Sequence, residues 1–500
     1  MTTQADSAKT GLSRRSFIGG GAAATLGIAL SGTLGPIARA SGADHGNPNG
    51  AAGGFDGYGP LQPDPAGLLA LPNGFHYSIV AETGVTLLDS GEPTPINPDG
   101  AASFVRPGGD GVILITNHEI RPGTVPTVPQ LDGFTYDPGP SSKGGTTSIE
   151  VDKHNERVRE YVSLAGTTIN CAGGKTPWNT WLSCEEAYTG PPAAGFTKPH
   201  GFVFEVDPYD MEANRDPQPI RALGRFEHEA LAVDPDTFRI YLTEDATSPH
   251  GLFYRWTPPP AALPLGKGSL RALAPDAGAF EAMRARDASG AVVADLCVAI
   301  EPGTTYTVDW VAATNRVPTG NTLASQLRRQ WNFPGMTAPP TPGRDVTRSR
   351  KLEGAWWGDG GAYFVASFAR TADGSAVQHD GQVWFLDPLA STITLKLRFA
   401  FTGEDQDSDE DGPDNITVSP YGGFLLAEDG VGINHVIGAT EDGQTYFLAE
   451  NMLPGSSEFA GVNFSPDKQT LFVNLFTPGY VYAITGPWKR QGGGGPPADE

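Results

Sequence analysis

Short apolar runs closed by turn residues recur along most of the chain. Segments 111–116, 147–151, 202–206, 240–243, 382–386, 393–400, 424–427, 471–474 and 480–485 are rich in Val, Ile, Phe and Tyr. Each is bounded by Gly, Pro, Asp or Asn, the pattern of brief β-strands between tight turns. Helical periodicity is scarce, and 277–286 is its best candidate. A weak internal repeat runs through the strands. Ala-Val-Asp-Pro-Asp (232–236), Thr-Val-Ser-Pro-Tyr (417–421) and Asn-Phe-Ser-Pro-Asp (463–467) each feed an apolar run. Pro420 and Pro466 are 46 residues apart, and Pro235 and Pro420 are 185 apart, about four such units. β-Propeller blades repeat at about 40–50 residues, and a radial array leaves only short, protected sheet edges. The predicted architecture is all-β: a single six-bladed β-propeller over 61–490, with loop and short helical insertions. Six blades use roughly 270 residues at that period. The segment at about 257–350, rich in Pro, Ala and Arg, is the predicted main insertion. Residues 41–60 read as a flexible lead-in and 491–500 as a disordered tail.

Composition narrows the partners. The 500 residues carry a formal net charge of −23, with only 18% charged side chains. An acidic surface repels nucleic acid and anionic lipid headgroups, so neither is an expected partner. A protein this acidic that handles anions needs cations to recruit them. Three cysteines, Cys171, Cys184 and Cys297, are too few for a disulfide framework.

The N-terminus carries an address. Ser13-Arg14-Arg15-Ser16-Phe17 is a twin-arginine element, followed by a Gly- and Ala-rich, weakly apolar stretch and then Ala38-Arg39-Ala40. That order matches an export signal with an A-x-A cleavage site over 1–40. Glycines interrupt the apolar stretch, which suits cleavage better than a membrane span. The expectation is a mature chain beginning near Ser41, exported by the twin-arginine translocase to the periplasm or exterior without stable membrane insertion. It is expected to be a monomer.

Candidate chemistry lies where acids recur at strand ends: Glu119, Glu185-Glu186, Glu227-His228-Glu229, Glu244-Asp245, Glu353, Asp414 and Glu428-Asp429. In a propeller, equivalent strand ends from different blades converge on the axis. Several carboxylates gathered there raise one another's pKa unless cations sit among them. Oxygen-rich sites suit calcium, whereas a thiolate such as Cys171 suits a transition metal. Singly, each acid reads better as a turn cap or a solvated side chain; it is the shared strand-end position of the set that points to cations. Cys171 stands in Asn170-Cys-Ala-Gly-Gly174, where glycines permit close backbone approach. Cys184 and Cys297 sit in apolar, strand-like runs and read as packed core.

The segment from Asn170 through Glu186 resembles the signature of the PhoX-type alkaline phosphatases and the wider PhoX-like group. In order along the chain, so do Gly144-Gly-Thr-Thr147, Gly224-Arg-Phe-Glu-His-Glu-Ala230, Tyr241-Leu-Thr-Glu-Asp245, Leu352-Glu-Gly354, Pro413-Asp-Asn-Ile-Thr417, Glu428-Asp-Gly430, Glu458-Phe-Ala-Gly461 and Gly486-Pro-Trp488. The resemblance implies a six-bladed propeller with a ferric iron and calcium cluster on its axis. It implies Cys171 as an iron ligand, Glu229 and Glu353 as iron or calcium ligands, and Asp414, Glu119 and Glu428 on the calcium side. The implied reaction is phosphomonoester hydrolysis of a small phosphorylated substrate, with a metal-bound oxygen attacking phosphorus in line. Two substrate contacts depart from the family pattern. Lys351, with Arg350 and Arg348 nearby, holds the place of an Arg, and Ser148 stands near the place of an Asn. Lys is a point charge without the bidentate fork of Arg. Lys351, Arg350 and Ser148 are the predicted substrate contacts. The alternative is a metal-stabilised propeller without efficient phosphatase activity, acting as a binding protein or on another ester.

Overall fold

The computed structural model describes residues 57–247, 250–336, 339–403, 410–455 and 457–490. The expected export signal, most of the lead-in and the expected tail lie outside the described residues.

Six strands stand innermost: Pro98–Val105, Asn170–Lys175, His228–Val233, Leu352–Gly358, Pro413–Val418 and Phe459–Phe464. Each packs against the next, and the last packs against the first, so the ring closes. From each inner strand an antiparallel sheet runs outward. A closed ring of inner strands is what the predicted all-β propeller requires. Sheets and blades do not correspond one to one, however. Ala279–Arg286 and Thr305–Ala312 extend the sheet of the third inner strand until it meets Thr392–Phe399, the outer strand of the fourth. These bridging strands come from the segment expected to be a plain insertion. Closure is sealed by an early strand, His76–Glu82, which pairs with Tyr480–Thr485 as the fourth strand of the last sheet. The core is divided among clusters between neighbouring sheets, with Trp181, Trp256, Trp331 and Trp384 fully buried.

Two local expectations change. Residues 277–286 were the best helical pattern, yet Ala279–Arg286 is a strand paired on both sides. Its Ala, Glu, Met and Arg content favours helix intrinsically, but ladder hydrogen bonds and burial of Phe280, Ala282, Met283 and Ala285 between two clusters prevail. Cys297 lies in a 3₁₀ turn, Leu296–Val298, whose backbone is held by the Asp295 carboxylate. It is buried, as expected, but not in a strand. Among the described residues every helical element is a 3₁₀ turn of three or four residues, and no helix is long and apolar enough to cross a membrane.

Candidate metal centre

Every inner strand carries an irregularity at the same place. The register slips between Pro98 and Ala101, Asn170 and Gly173, His228 and Leu231, Leu352 and Ala355, Pro413 and Ile416, and Ala460 and Asn463. A bulge re-aims the side chain it carries. The residues inside these slips are Asp99-Gly100, Cys171-Ala172, Glu229-Ala230, Glu353-Gly354, Asp414-Asn415 and Gly461-Val462. Five of the six therefore present a potential metal donor followed by a small or polar residue.

Small residues are required there because the inner strands crowd the axis. A Cβ on Gly100 would fall 2.5 Å from Ala172 Cα, and one on Gly354 would fall 2.6 Å from the Asp414 carbonyl oxygen. Just past the bulges the axis narrows to a cavity of about 20 Å³ lined by Gly100, Ala172, Ala230, Gly354, Asn415 and Gly461, among others.

The donors join into a chain of three groups. In each group the potential ligand atoms lie within 4.8 Å of one another: Cys171, Glu186 and Glu229; then Glu229, Glu353 and Asp414; then Asp414, Asp429 and Glu458. Shared Glu229 and Asp414 link the three. Cys171, Glu229, Glu353, Asp414 and Glu458 are buried, whereas Glu186 in the first group and Asp429 in the last are half-buried.

Neighbouring polar groups hold the Cys171 end. Asn117 Nδ2 donates to the carbonyls of Cys171 (3.1 Å) and Ala172 (2.7 Å), while its Oδ1 accepts from Trp181 Nε1 and Ser183 Oγ. The bulge at Cys171 is thus pinned by a side chain from the next sheet. Cys171 Sγ donates to the His228 carbonyl at 3.2 Å. Burial, together with Glu229, Glu186 and Asp99, pushes its thiol well above the ordinary range. With carboxylates alone around it the thiol keeps its proton; a cation among them reverses that balance. A thiol beside a run of carboxylates fits a site for both a thiophilic transition metal and an oxygen-seeking cation.

The other predicted residues are placed as follows. Glu119 is buried beside this chain, with Oε1 accepting from Arg121 Nη2 at 2.8 Å. Lys351 Nζ lies 2.6 Å from Glu353 Oε1 and 2.8 Å from Asp245 Oδ2. Arg350 pairs with Asp373 at 2.8 Å and covers the Phe368 ring. Glu428 stands apart from the chain. Its two oxygens accept from the backbone N–H groups of Asp411 and His435, each at 2.7 Å, so it braces the loop that carries Asp429. Ser148 also lies elsewhere. It is on the third strand of its sheet and meets Ser163 Oγ at 3.0 Å on the outermost strand, inside the blade and away from the axis. Cys184 is buried in the core next to Leu182 and Val203.

Four residues of the centre were not among the predicted ligands: Glu186, Asp429, Glu458 and, in the first bulge, Asp99. Glu186 and Asp429 each stand one residue beyond a buried acid, Glu185 or Glu428, in a strand-end pair. Strand alternation sends neighbours to opposite faces, and the sequence alone does not say which face meets the axis. Glu185 instead accepts from the Gly201 and Phe202 backbone and pairs with His200 Nδ1 at 2.6 Å. Glu458 and Asp99 stood in plain view. The signal that finds Asp99 is the recurring donor-then-small pair.

The sequence matches the model of the family described as alkaline phosphatase PhoX over residues 56–160 and 154–479. The chain belongs to the PhoX family. Membership in an alkaline phosphatase family places it among the phosphomonoesterases. Among solved structures, the chain is similar to PhoX of Pseudomonas fluorescens in complex with vanadate, with 18% identity and a TM-score of 0.62. That match covers 87% of this chain and 98% of the other, and shows the shared propeller fold. A gluconolactonase from Xanthomonas campestris matches with 12% identity and a TM-score of 0.33, over 79% of this chain and 98% of the other. No curated protein matches the sequence.

Proposed function

We infer that this PhoX-family chain hydrolyses small phosphate monoesters at an axial cluster of iron and calcium, after export by the twin-arginine pathway. The observation that carries the reading is the linked run of one thiol and six carboxylates, Cys171 through Glu458, at the converging bulges. Cys171, Glu186 and Glu229 would hold iron, Glu353 would hold iron or calcium, and Asp414, Asp429 and Glu458 would hold calcium. When bound, such cations neutralise phosphoryl oxygens, orient the ester and lower the pKa of water.

The chain's own residues do the positioning. Asn117 fixes the Cys171 backbone through two carbonyls. Lys351 holds Glu353 and Asp245 together from behind. Because the substrate's charge is met by cations, the protein's acidic surface is no barrier at the site itself.

The deciding experiment is a phosphomonoester assay on the mature protein, purified with its metals and supplemented with calcium, alongside elemental analysis. Hydrolysis with both iron and calcium bound supports the reading. Full metal content with no hydrolysis of any phosphomonoester would favour a binding protein on the same scaffold.

A further inference from the structure

We propose that the end of the propeller axis opposite the metal donors holds a second ligand site, which takes a small aromatic carboxylate of one ring. The proposal does not depend on the phosphatase reading.

The site is a cavity where three successive inner strands end. It measures about 220 Å³ and is lined by Lys175, Pro177, Leu231, Val233, Trp356 and Trp357, among others. Lys175 closes the strand Asn170–Lys175, Val233 closes His228–Val233, and Trp356 and Trp357 stand near the end of Leu352–Gly358. The bulges with Cys171, Glu229 and Glu353 are at the opposite ends of the same three strands. Four residues at about 3.3 Å each separate Cys171 from Lys175, a span of about 13 Å. The narrow axial cavity lies between the two ends and shares Trp356 with the larger one.

The walls suit a flat ring. Trp181, Trp256, Trp331 and Trp384 are fully buried, whereas Trp356 and Trp357 are consecutive and half-buried at the cavity. A different part of the core supports each. Trp357 stacks on Tyr241, with ring centroids 6.3 Å apart and planes 12° apart, and Trp356 packs on the cluster that includes Tyr363 and Ile416. The turn that carries Pro177 is fixed as well, with Thr176 Oγ1 accepting from the Thr180 N–H at 2.9 Å. The cavity is thus preformed, and an aromatic ring laid against the indoles removes their open surface from water. Its volume is below the roughly 300–1,000 Å³ of pockets for drug-sized ligands, which restricts the occupant to one ring.

Lys175 sets the charge. Its ammonium donates to the Ser103 carbonyl at 3.0 Å and lies 4.8 Å from the centroid of the Phe104 ring. Among the described residues no carboxylate pairs with it, and burial alone pulls its pKa below the usual lysine range. A carboxylate in the cavity compensates that cation and removes the penalty on its charged form. One ammonium among mostly apolar walls balances a single negative charge, which suits a carboxylate rather than a dianionic phosphate. With a net charge of −23 the rest of the protein repels such a ligand, so the binding depends on Lys175.

The test uses the mature protein with its metals, in excess inorganic phosphate to occupy the metal centre. Benzoate and its neutral counterpart benzyl alcohol are titrated by calorimetry and by tryptophan fluorescence. The expected result is one benzoate per chain, with benzyl alcohol bound at least tenfold more weakly. Lys175→Met keeps the apolar stem and removes the charge. It should weaken benzoate at least tenfold and change benzyl alcohol less than twofold, with metal content as in the parent. Trp357→Leu should weaken both ligands at least tenfold. Absence of saturable benzoate binding, equal affinity for the two ligands, or benzoate affinity within twofold of the parent in Lys175→Met would overturn the proposal. So would benzoate binding that falls as phosphate is raised, which would put the carboxylate on the metals. The two ligands compared on the parent read the charge requirement even if neither variant folds.

Discussion

Lys351 Nζ lies 2.6 Å from Glu353 Oε1, two residues along the same chain, with the Lys351 backbone at φ of +45°. That left-handed turn lets one segment bring a buried ammonium against its own neighbouring carboxylate. Removing one member of a buried ion pair costs about 3–5 kcal/mol, because the other charge is left uncompensated. Lys351→Met is expected to lower the melting temperature clearly in chelator. Added calcium should narrow the difference from the parent, since a cation at Glu353 replaces the lost ammonium. An equal deficit with and without metal would place Glu353 outside the metal site.

Cys171 is expected to be the thiol that binds iron. Cys171→Ala should abolish bound iron and any visible sulfur-to-iron colour, because among the described residues the grouped donors include no other sulfur. Cys184→Ala should keep both and cost on the order of 1–3 kcal/mol in packing. Elemental analysis and an absorption spectrum check this; iron retained in Cys171→Ala defeats the assignment.

Gly354→Ala should disturb the centre without touching a donor. The added methyl would sit 2.6 Å from the Asp414 carbonyl oxygen and 2.8 Å from Asn415 Cα, pressing two inner strands apart. Overpacking of this kind costs about 1–3 kcal/mol, and metal retention on dialysis should fall with it. Gly266→Ala, whose methyl meets only Ser269 Oγ at 3.9 Å, is the control and should stay within about 0.5 kcal/mol of the parent.

His379 should add acid sensitivity. Burial, reinforced by Arg370, Arg398 and Arg350, pulls its pKa from 6.5 down to about 3. The folded state therefore resists a proton that the unfolded chain accepts. The contribution to stability is complete above about pH 6.5 and is lost as pH falls toward 3. His379→Gln should flatten the decline in melting temperature across that window. Parallel declines for the two proteins would exclude His379 as a cause.

Replacement of Arg14 and Arg15 together by Lys should leave unprocessed protein in the cytoplasm. Fractionation and N-terminal sequencing of the mature form, expected to begin near Ser41, check this. Unchanged export would remove the twin-arginine assignment.

Every strand that the hydrophobic pattern revealed lies outside the inner ring. The runs at 111–116, 240–243, 424–427 and 471–474 are second strands of their sheets, and 480–485 and 382–386 are third strands. All six inner strands escaped the pattern. Outer strands pack apolar side chains between blades and so show β-branched and aromatic runs. Inner strands face a crowded axis, where Gly100, Ala172, Ala230 and Gly354 replace bulky residues. A bulge in each also breaks the alternation on which strand reading depends.

From residues alone, the all-β class, the turn-and-strand repeat, the recurrence of acids at strand ends and the family likeness were legible; Cys171, Glu229, Glu353 and Asp414 were singled out, with Glu119 and Glu428, by that likeness. Each depends on local composition or on motif order, which a linear sequence preserves. Tertiary structure alone decided which acid of each pair turns inward. It chose Glu186 over Glu185 and Asp429 over Glu428, whose oxygens are taken by backbone N–H groups. It also put Ser148 inside a blade and paired Lys351 with Glu353 and Asp245. A one-residue step along a strand reverses the direction of a side chain, and the register that fixes the step comes from pairing between segments far apart in the chain.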